Sequence, residues 1–249
     1  MNMIHQLHQH RTIRKYTSQP IGKDLLNDIL EAGVRASNTG NMQMYSIIVT
    51  ECQEKKDALS PAHFNQPMIK NAPVVLTICA DFRRVHQWCD INNTEGSYNN
   101  LMWLLNETVD AMLVAQNISV AAEAKGLGLC YLGTTVYNAP QIIDILSLPK
   151  GVIPITTITL GWPDETPVLT DRLPLDAVVH FETYKELSDT DIQNLYKEKE
   201  MLDESIRFVQ ENGKENLAQV YAEVRYKKED SIHFSKVLEK TLRSQGFDL

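Results

Sequence analysis

The chain has 249 residues, 43% of them hydrophobic, enough apolar material for one large domain or two small ones. Its formal charge of −8, from 24 Lys+Arg against 32 Asp+Glu, argues against a general nucleic-acid binder, which needs a basic face to displace counterions. No apolar run approaches the roughly 20 residues of a membrane helix, Met1 to Arg11 lacks the apolar centre of a signal peptide, and Cys52, Cys79, Cys89 and Cys130 show no CxxC or zinc-type spacing, so a cytoplasmic protein without membrane or nucleic-acid partners is expected.

A short helix is expected over Met1–His10, followed by an extended segment, Arg11–Tyr16, up to Pro20. Leu25, Leu26, Ile29, Leu30 and Ala32 recur at helical spacing and predict an amphipathic helix over Lys23–Arg35, broken by Ser37-Asn38-Thr39-Gly40-Asn41. Met44–Thr50 is rich in β-formers and reads as a buried strand, residues 53–60 as a short helix, and Val74–Ala80 as a second strand. Residues 82–105 are poorly periodic and suit either irregular helix or a lid. Asn106 then resembles an N-cap, with Glu107 and Asp110 in the first turn, where the helix dipole favours negative charge. From Ala111 to Ala124 apolar residues occupy most of the helix circumference, the pattern of a helix covered on nearly all sides. Lys125 and Gly126 close it, Gly126 in the left-handed conformation, and a short strand, Leu129–Leu132, ends at Gly133, where backbone can approach a ligand. A helix over Pro140–Leu148, a strand over Val152–Leu160 and an extended arm from about 162 to 184 follow, then helices over Asp189–Gln210 and Ser231–Ser244. Residues 185–249 concentrate 11 basic and 14 acidic side chains and read as a helical extension over the more apolar core of 1–184, not as an independent domain. Few strands among long helices, without regular βαβ alternation, indicate an α+β fold.

Arg11 and Arg14 bracket Thr12 in an extended segment, where two guanidinium forks and a hydroxyl can converge on one phosphate. The turn Ser37-Asn38-Thr39 offers further donors or serves plain turn chemistry. His5, His8 and His10 do not share a helical face and have no obvious carboxylate partner in the sequence, so no metal site is expected. No nucleophile set, Walker loop or GxGxxG fingerprint is present; Gly126, Gly128 and Gly133 miss that spacing.

Four separated stretches carry a resemblance: HRTIRKYTSQPI, SNTGNMQ, GLGLCYLG and LGWPDETPVLTDRLPL, in this order across about residues 4–180. Together they resemble the nitroreductase family, most of all its long branch of NADPH-dependent nitro/flavin reductases. The resemblance implies a nitroreductase-like α+β fold, a mixed or antiparallel sheet flanked by helices, with FMN bound at the interface of an intertwined homodimer. His10, Arg11, Thr12 and Arg14 match the motif that holds the phosphate, ribityl chain and one polar edge of the flavin, and Arg14 near the N1/C2 edge would stabilise negative charge on the ring. Asn38, Thr39 and Gly40 match a turn with further contacts, and Gln66 a glutamine at the pyrimidine end. Tyr131, Leu132, Gly133 and Thr134 match the segment beside the ring, and Arg172 a phosphate-binding arginine. The motif's usual serine is Thr12 here, and a lysine usual two residues before Arg172 is Thr170.

The implied activity is hydride transfer from NADPH or NADH through the flavin to nitroaromatic, quinone or flavin acceptors, with ping-pong kinetics and no side-chain nucleophile. Arg225, Lys227 and Lys228 are candidates for the nicotinamide nucleotide's 2′-phosphate. A flavin-binding or regulatory protein without turnover is the competing reading.

Overall fold

The computed structural model describes residues 3–249. The chain forms two compact units, residues up to Val168 together with Phe234–Leu249, and Leu169–His233.

In chain order the first unit contains α1 (Met3–His8), α2 (Lys23–Gly33), a 3-10 turn at Thr39–Asn41, β1 (Tyr45–Thr50), α3 (Gln53–Leu59), a 3-10 turn at Pro61–His63 and α4 (Pro67–Asn71). It continues with β2 (Val74–Asp81), α5 (Arg83–Ile91), α6 (Leu101–Ala124), β3 (Gly128–Leu132), α7 (Ala139–Leu146) and β4 (Val152–Gly161). The strands make one antiparallel sheet in the order β1-β2-β4-β3. Every residue of β2 is buried, and in β4 only Ile155 is not, which is why these strands read as continuous apolar runs rather than alternating ones.

Helix α6 lies against this sheet and against α2. Its inward face carries Ala111, Val114, Ala115, Ile118 and Ala122, all fully buried, with Ile29, Leu76 and Ile158 in the same cluster. Small residues make the approach close: a Cβ added at Gly33 would lie 2.3 Å from Ile118 Cγ1. Each large aliphatic side chain buried here contributes about 1.5–3 kcal/mol. At the other end of the unit the C-terminal tail closes the core, Phe247 meeting the Phe82 ring edge-on at 4.9 Å. The second unit holds α8 (Asp189–Glu200), α9 (Asp203–Glu211), α10 (Leu217–Val220) and a π-helical turn at Tyr221–Arg225; the helix α11 (Lys228–Ser244) begins in it.

Several expectations hold closely, among them α2, the positions of all four strands and the cap of α6, where Lys125 is the C-cap and Gly126 takes φ +84°. Strand β1, expected to be buried, is instead an edge strand that is mostly half-buried, with Val49 exposed. The first two residues of the helix expected over Met1–His10 lie outside the described residues. The beginning of α6 differs. The helix starts at Leu101, capped by Asn100, whose Oδ1 accepts from the Trp103 N–H at 3.2 Å. Asn106 is therefore no cap, and Glu107 and Asp110 lie buried inside the helix rather than in its first turn. The five residues Leu101–Leu105 hide the start because they carry no polar alternation. Nor is α6 covered all round in this chain, since Leu101, Met102, Leu105, Val109, Met112 and Leu113 stay exposed. The segment 82–105 resolves into α5, a loop and the start of α6. The helix expected over Asp189–Gln210 is broken at Leu202, whose backbone is extended, and α11 starts at Lys228, so the basic run reaches into its first turn.

Candidate functional site

The segment Arg11–Tyr16 runs beside β3 and is fixed at both ends. Thr12 pairs with Leu129 in a parallel bridge, with the Ile13 N–H donating to the Leu129 carbonyl at 2.9 Å. Tyr16 bridges to Pro163, and its hydroxyl donates to the Ile13 carbonyl at 2.7 Å. Burial of Ile13 and Tyr16 pushes their neighbours outward: Arg11 and Thr12 are half-buried and Arg14 is exposed. A Cβ at Gly128 would lie 2.5 Å from Ile13 Cγ1, so only glycine admits the segment this close.

Carboxylates brace this segment from behind. Glu165 Oε1 accepts the N–H groups of Arg14 (2.6 Å) and Lys15 (3.0 Å), and Glu123 of α6 sits 2.5 Å from His10 Nδ1. The Arg11 guanidinium donates through Nη1 to the Gln9 carbonyl at 3.1 Å, while its buried Nε has no partner among the described residues. Arg14 also lies beside the Cys130 thiol, whose pKa burial raises against the opposing pull of that charge.

The turn Asn38-Thr39-Gly40 packs over α6. Asp110 accepts from the Thr39 N–H (2.9 Å) and hydroxyl (3.1 Å), so that hydroxyl's proton is directed inward. Asn38 donates weakly to the Ala36 carbonyl (3.4 Å), and its buried Oδ1 has no partner among the described residues. Gly40 takes φ +58°.

After β3 the candidate residues divide by role. The Tyr131 hydroxyl is taken up by Ser119 (2.9 Å), and the Leu132 side chain is buried in the core, so Tyr131 can offer a ligand its backbone and ring face and Leu132 its backbone only. Gly133 is exposed, and a Cβ there would meet no atom within 4 Å. Thr134 Oγ1 lies 2.8 Å from Nδ1 of His63, a fully buried imidazole whose pKa burial lowers to about 4, leaving it neutral at ordinary pH. Gln66 is half-buried and precedes α4, its side chain making no capping hydrogen bond to the helix.

The remaining candidates belong to the second unit. Arg172 is exposed, its Nη1 donating to the carbonyls of Asp171 (2.8 Å) and Thr170 (3.3 Å). Arg225 stacks over Phe208 at 4.2 Å, and Lys227 and Lys228 are exposed. Within the first unit the structure thus ties Thr12 and Ile13 to Leu129 near the start of β3, with Arg14 beside Cys130 and His10 held by Glu123 of α6, while the open Gly133 follows the other end of the strand. Sequence reasoning missed the supporting residues Asp110, Glu123, Glu165 and His63. Only Glu165 sat inside a quoted motif, and nothing in that motif indicated its role.

These residues fit FMN. Unpartnered Arg11 Nε can donate to an anion or hydroxyl, unpartnered Asn38 Oδ1 can accept from a hydroxyl or ring N–H, and the space at Gly133 admits a flat ring against backbone.

Comparison with known proteins agrees. The model of the Nitroreductase family matches residues 7–66 and 58–162. The chain is 34% identical over 194 residues to the NADPH-flavin oxidoreductase of Vibrio harveyi (78% of this chain, 79% of that one). It is 35% identical over 184 residues to an FMN reductase [NAD(P)H] of Bacillus subtilis (73% and 74%). A solved structure from Bacteroides fragilis superposes with a TM-score of 0.96 at 52% identity, covering 98% of this chain and all of that one. The chain belongs to the nitroreductase family.

Proposed function

We propose that this chain is an FMN-dependent NAD(P)H oxidoreductase acting on nitroaromatic, quinone or flavin acceptors. Its relatives are named for NADPH-flavin oxidoreduction, FMN reduction and oxygen-insensitive nitroreduction. The observation that carries the reading is the tie of Thr12 and Ile13, between Arg11 and Arg14, to Leu129 of β3, the strand followed by open space at Gly133.

Arg11, Arg14 and Thr12 would hold the phosphate and ribityl hydroxyls, with His10 oriented by Glu123, and Arg14 would supply positive charge at the N1/C2 edge of the ring. Asn38, Thr39, Gly40 and Gln66 would contact the ring's polar side, while the backbone of Tyr131 to Gly133 and the Thr134 hydroxyl would line its flank. Arg172 would add a phosphate cation. Flavin, when bound, supplies the hydride chemistry; the chain binds, orients and shields it. No side-chain nucleophile is required, and an acceptor that replaces the nicotinamide in the same place gives ping-pong kinetics.

For the donor, Arg225 with Lys227 and Lys228 would bind the 2′-phosphate of NADPH; stacking on Phe208 holds the guanidinium in place. A second copy of this chain is the partner, supported by the exposed apolar stripe Leu101, Met102, Leu105, Val109, Met112 and Leu113 on α6. Among the described residues no helix is long and apolar enough to cross a membrane, which suits a cytoplasmic location. The deciding experiment is the absorption spectrum of the purified protein before and after anaerobic NADPH. A yellow protein that bleaches supports the reading. A yellow protein that does not bleach makes it a passive binder, and a protein that neither carries nor takes up FMN removes the reading.

A further inference from the structure

Three aromatic rings of the first unit meet at a place the flavin assignment does not use. Phe64 belongs to the turn between His63 and Gln66, Tyr137 to the loop after β3, and Phe234 to α11. Phe234 stacks on Tyr137 with ring centroids 4.8 Å apart and 16° between planes, and meets Phe64 edge-on at 6.1 Å and 66°. The two segments beneath are tied together: His63 Nδ1 to Thr134 Oγ1 at 2.8 Å, and Asn138 Nδ2 donating to the Ala62 carbonyl at 2.8 Å.

The backbone at Phe64 is held against its preference. Phe64 and Asn65 both take left-handed conformations, at φ 53° and 56°, which costs about 1–2 kcal/mol at Phe64 and less at Asn65, a residue type that tolerates it. The Phe64 and Asn65 N–H groups, donating to the carbonyls of Pro61 (3.0 Å) and Ser60 (2.8 Å), fix that conformation. Core formation does not account for it, because Phe64 remains 52% exposed. The strain holds an aromatic ring at the surface, two residues from Gln66 and joined through His63 to Thr134.

We infer that Phe64, Tyr137 and Phe234 form an aromatic wall that receives a planar, uncharged electron acceptor and makes Phe64 and Phe234 specificity-determining residues; the inference rests on the proposed flavin site beside Gln66 and Thr134. An electron-poor ring gains offset or edge contacts from such faces. The three side chains carry no cation, so the wall suits a quinone or nitroaromatic ring rather than the phosphates of a nicotinamide nucleotide.

The test compares two acceptors in the holoenzyme: menadione, which is flat and apolar, and ferricyanide, which takes electrons without stacking. Phe234→Leu and Phe64→Leu keep apolar bulk and remove the aromatic face, and Phe234→Tyr restores it. The ratio of kcat/KM for menadione to that for ferricyanide, per bound FMN, is expected to fall roughly three- to tenfold in both leucine variants and to recover in Phe234→Tyr. An unchanged ratio, an equal fall for both acceptors, or a rise confined to the KM for NADPH would overturn the inference. A wild-type protein without flavin, visible in its spectrum before any turnover, would overturn it together with the function it rests on.

Discussion

Replacing Glu107 by glutamine tests whether the interior beneath the candidate site holds a proton. Glu107 is fully buried on α6, and neither carboxyl oxygen has a partner among the described residues. Burial, with the nearby Asp81 and Asp110 charges adding to it, raises its pKa from 4.5 to about 9. Between those values the unfolded chain carries an ionised carboxylate and the native chain a protonated one, so the native state binds more protons. Stability then falls as pH rises, by about 1.4 kcal/mol per pH unit, and levels off once the native group also ionises above pH 9. From below pH 4.5 to pH 7 the loss is on the order of 3 kcal/mol, a large part of a typical domain's stability. Glu107→Gln keeps the shape and cannot ionise. Any constant cost of burying the amide offsets its curve without tilting it. Urea unfolding of both proteins at intervals from pH 5 to 8.5 should show free energies that converge or cross, the wild type losing stability relative to the variant by about 1.4 kcal/mol per unit. Parallel curves would refute the reasoning, showing that Glu107 ionises in the fold as it does in the unfolded chain.

Gly128→Ala should place a methyl against Ile13, destabilise the fold by about 1–3 kcal/mol and weaken FMN binding by roughly tenfold, because the displaced segment carries Arg11, Thr12 and Arg14; calorimetric titration of apoprotein with FMN measures it. Arg172→Ala should lower the flavin content of the purified protein, and unchanged occupancy by absorbance would remove Arg172 from the phosphate site. Arg225→Ala should raise the KM for NADPH about tenfold or more while leaving that for NADH unchanged, since a hydrogen bond to a charged group contributes about 1.5–3 kcal/mol; a parallel rise for both nucleotides would argue against a 2′-phosphate contact. Val109→Asp, on the exposed stripe of α6, should shift a dimer toward monomer in sedimentation velocity.

Strands and capped helices were legible because their signals are local. Apolar runs bounded by turn residues gave β2 and β4, and the Lys125-Gly126 pair gave the end of α6. The beginning of α6 was hidden because Leu101, Met102 and Leu105 are apolar yet exposed, so no periodicity marks the helix before Asn106. The break at Leu202 was hidden for the opposite reason: the charged surface sequence around it continues a helical composition while one extended residue ends the helix.

The site was legible only in part, and the missing part is consistent in kind. Three candidate binding residues that the motifs supplied are steadied by an acid far away in sequence: Thr39 by Asp110, 71 residues on, His10 by Glu123, 113 residues on, and the Arg14 N–H by Glu165, 151 residues on. A single sequence carries no record of such pairings, because nothing local distinguishes these carboxylates from the chain's other acidic residues. Three acids behind a cationic site cost some attraction for a phosphate, yet each spends its charge on an N–H or imidazole rather than on a guanidinium. The backbone that carries Arg14 and Lys15 is fixed by Glu165, while the Arg11 guanidinium donates to the Gln9 carbonyl. On the proposed reading, that division, acids on backbone N–H groups and an imidazole, would let a chain with net charge −8 keep Arg11 and Arg14 available to a phosphate.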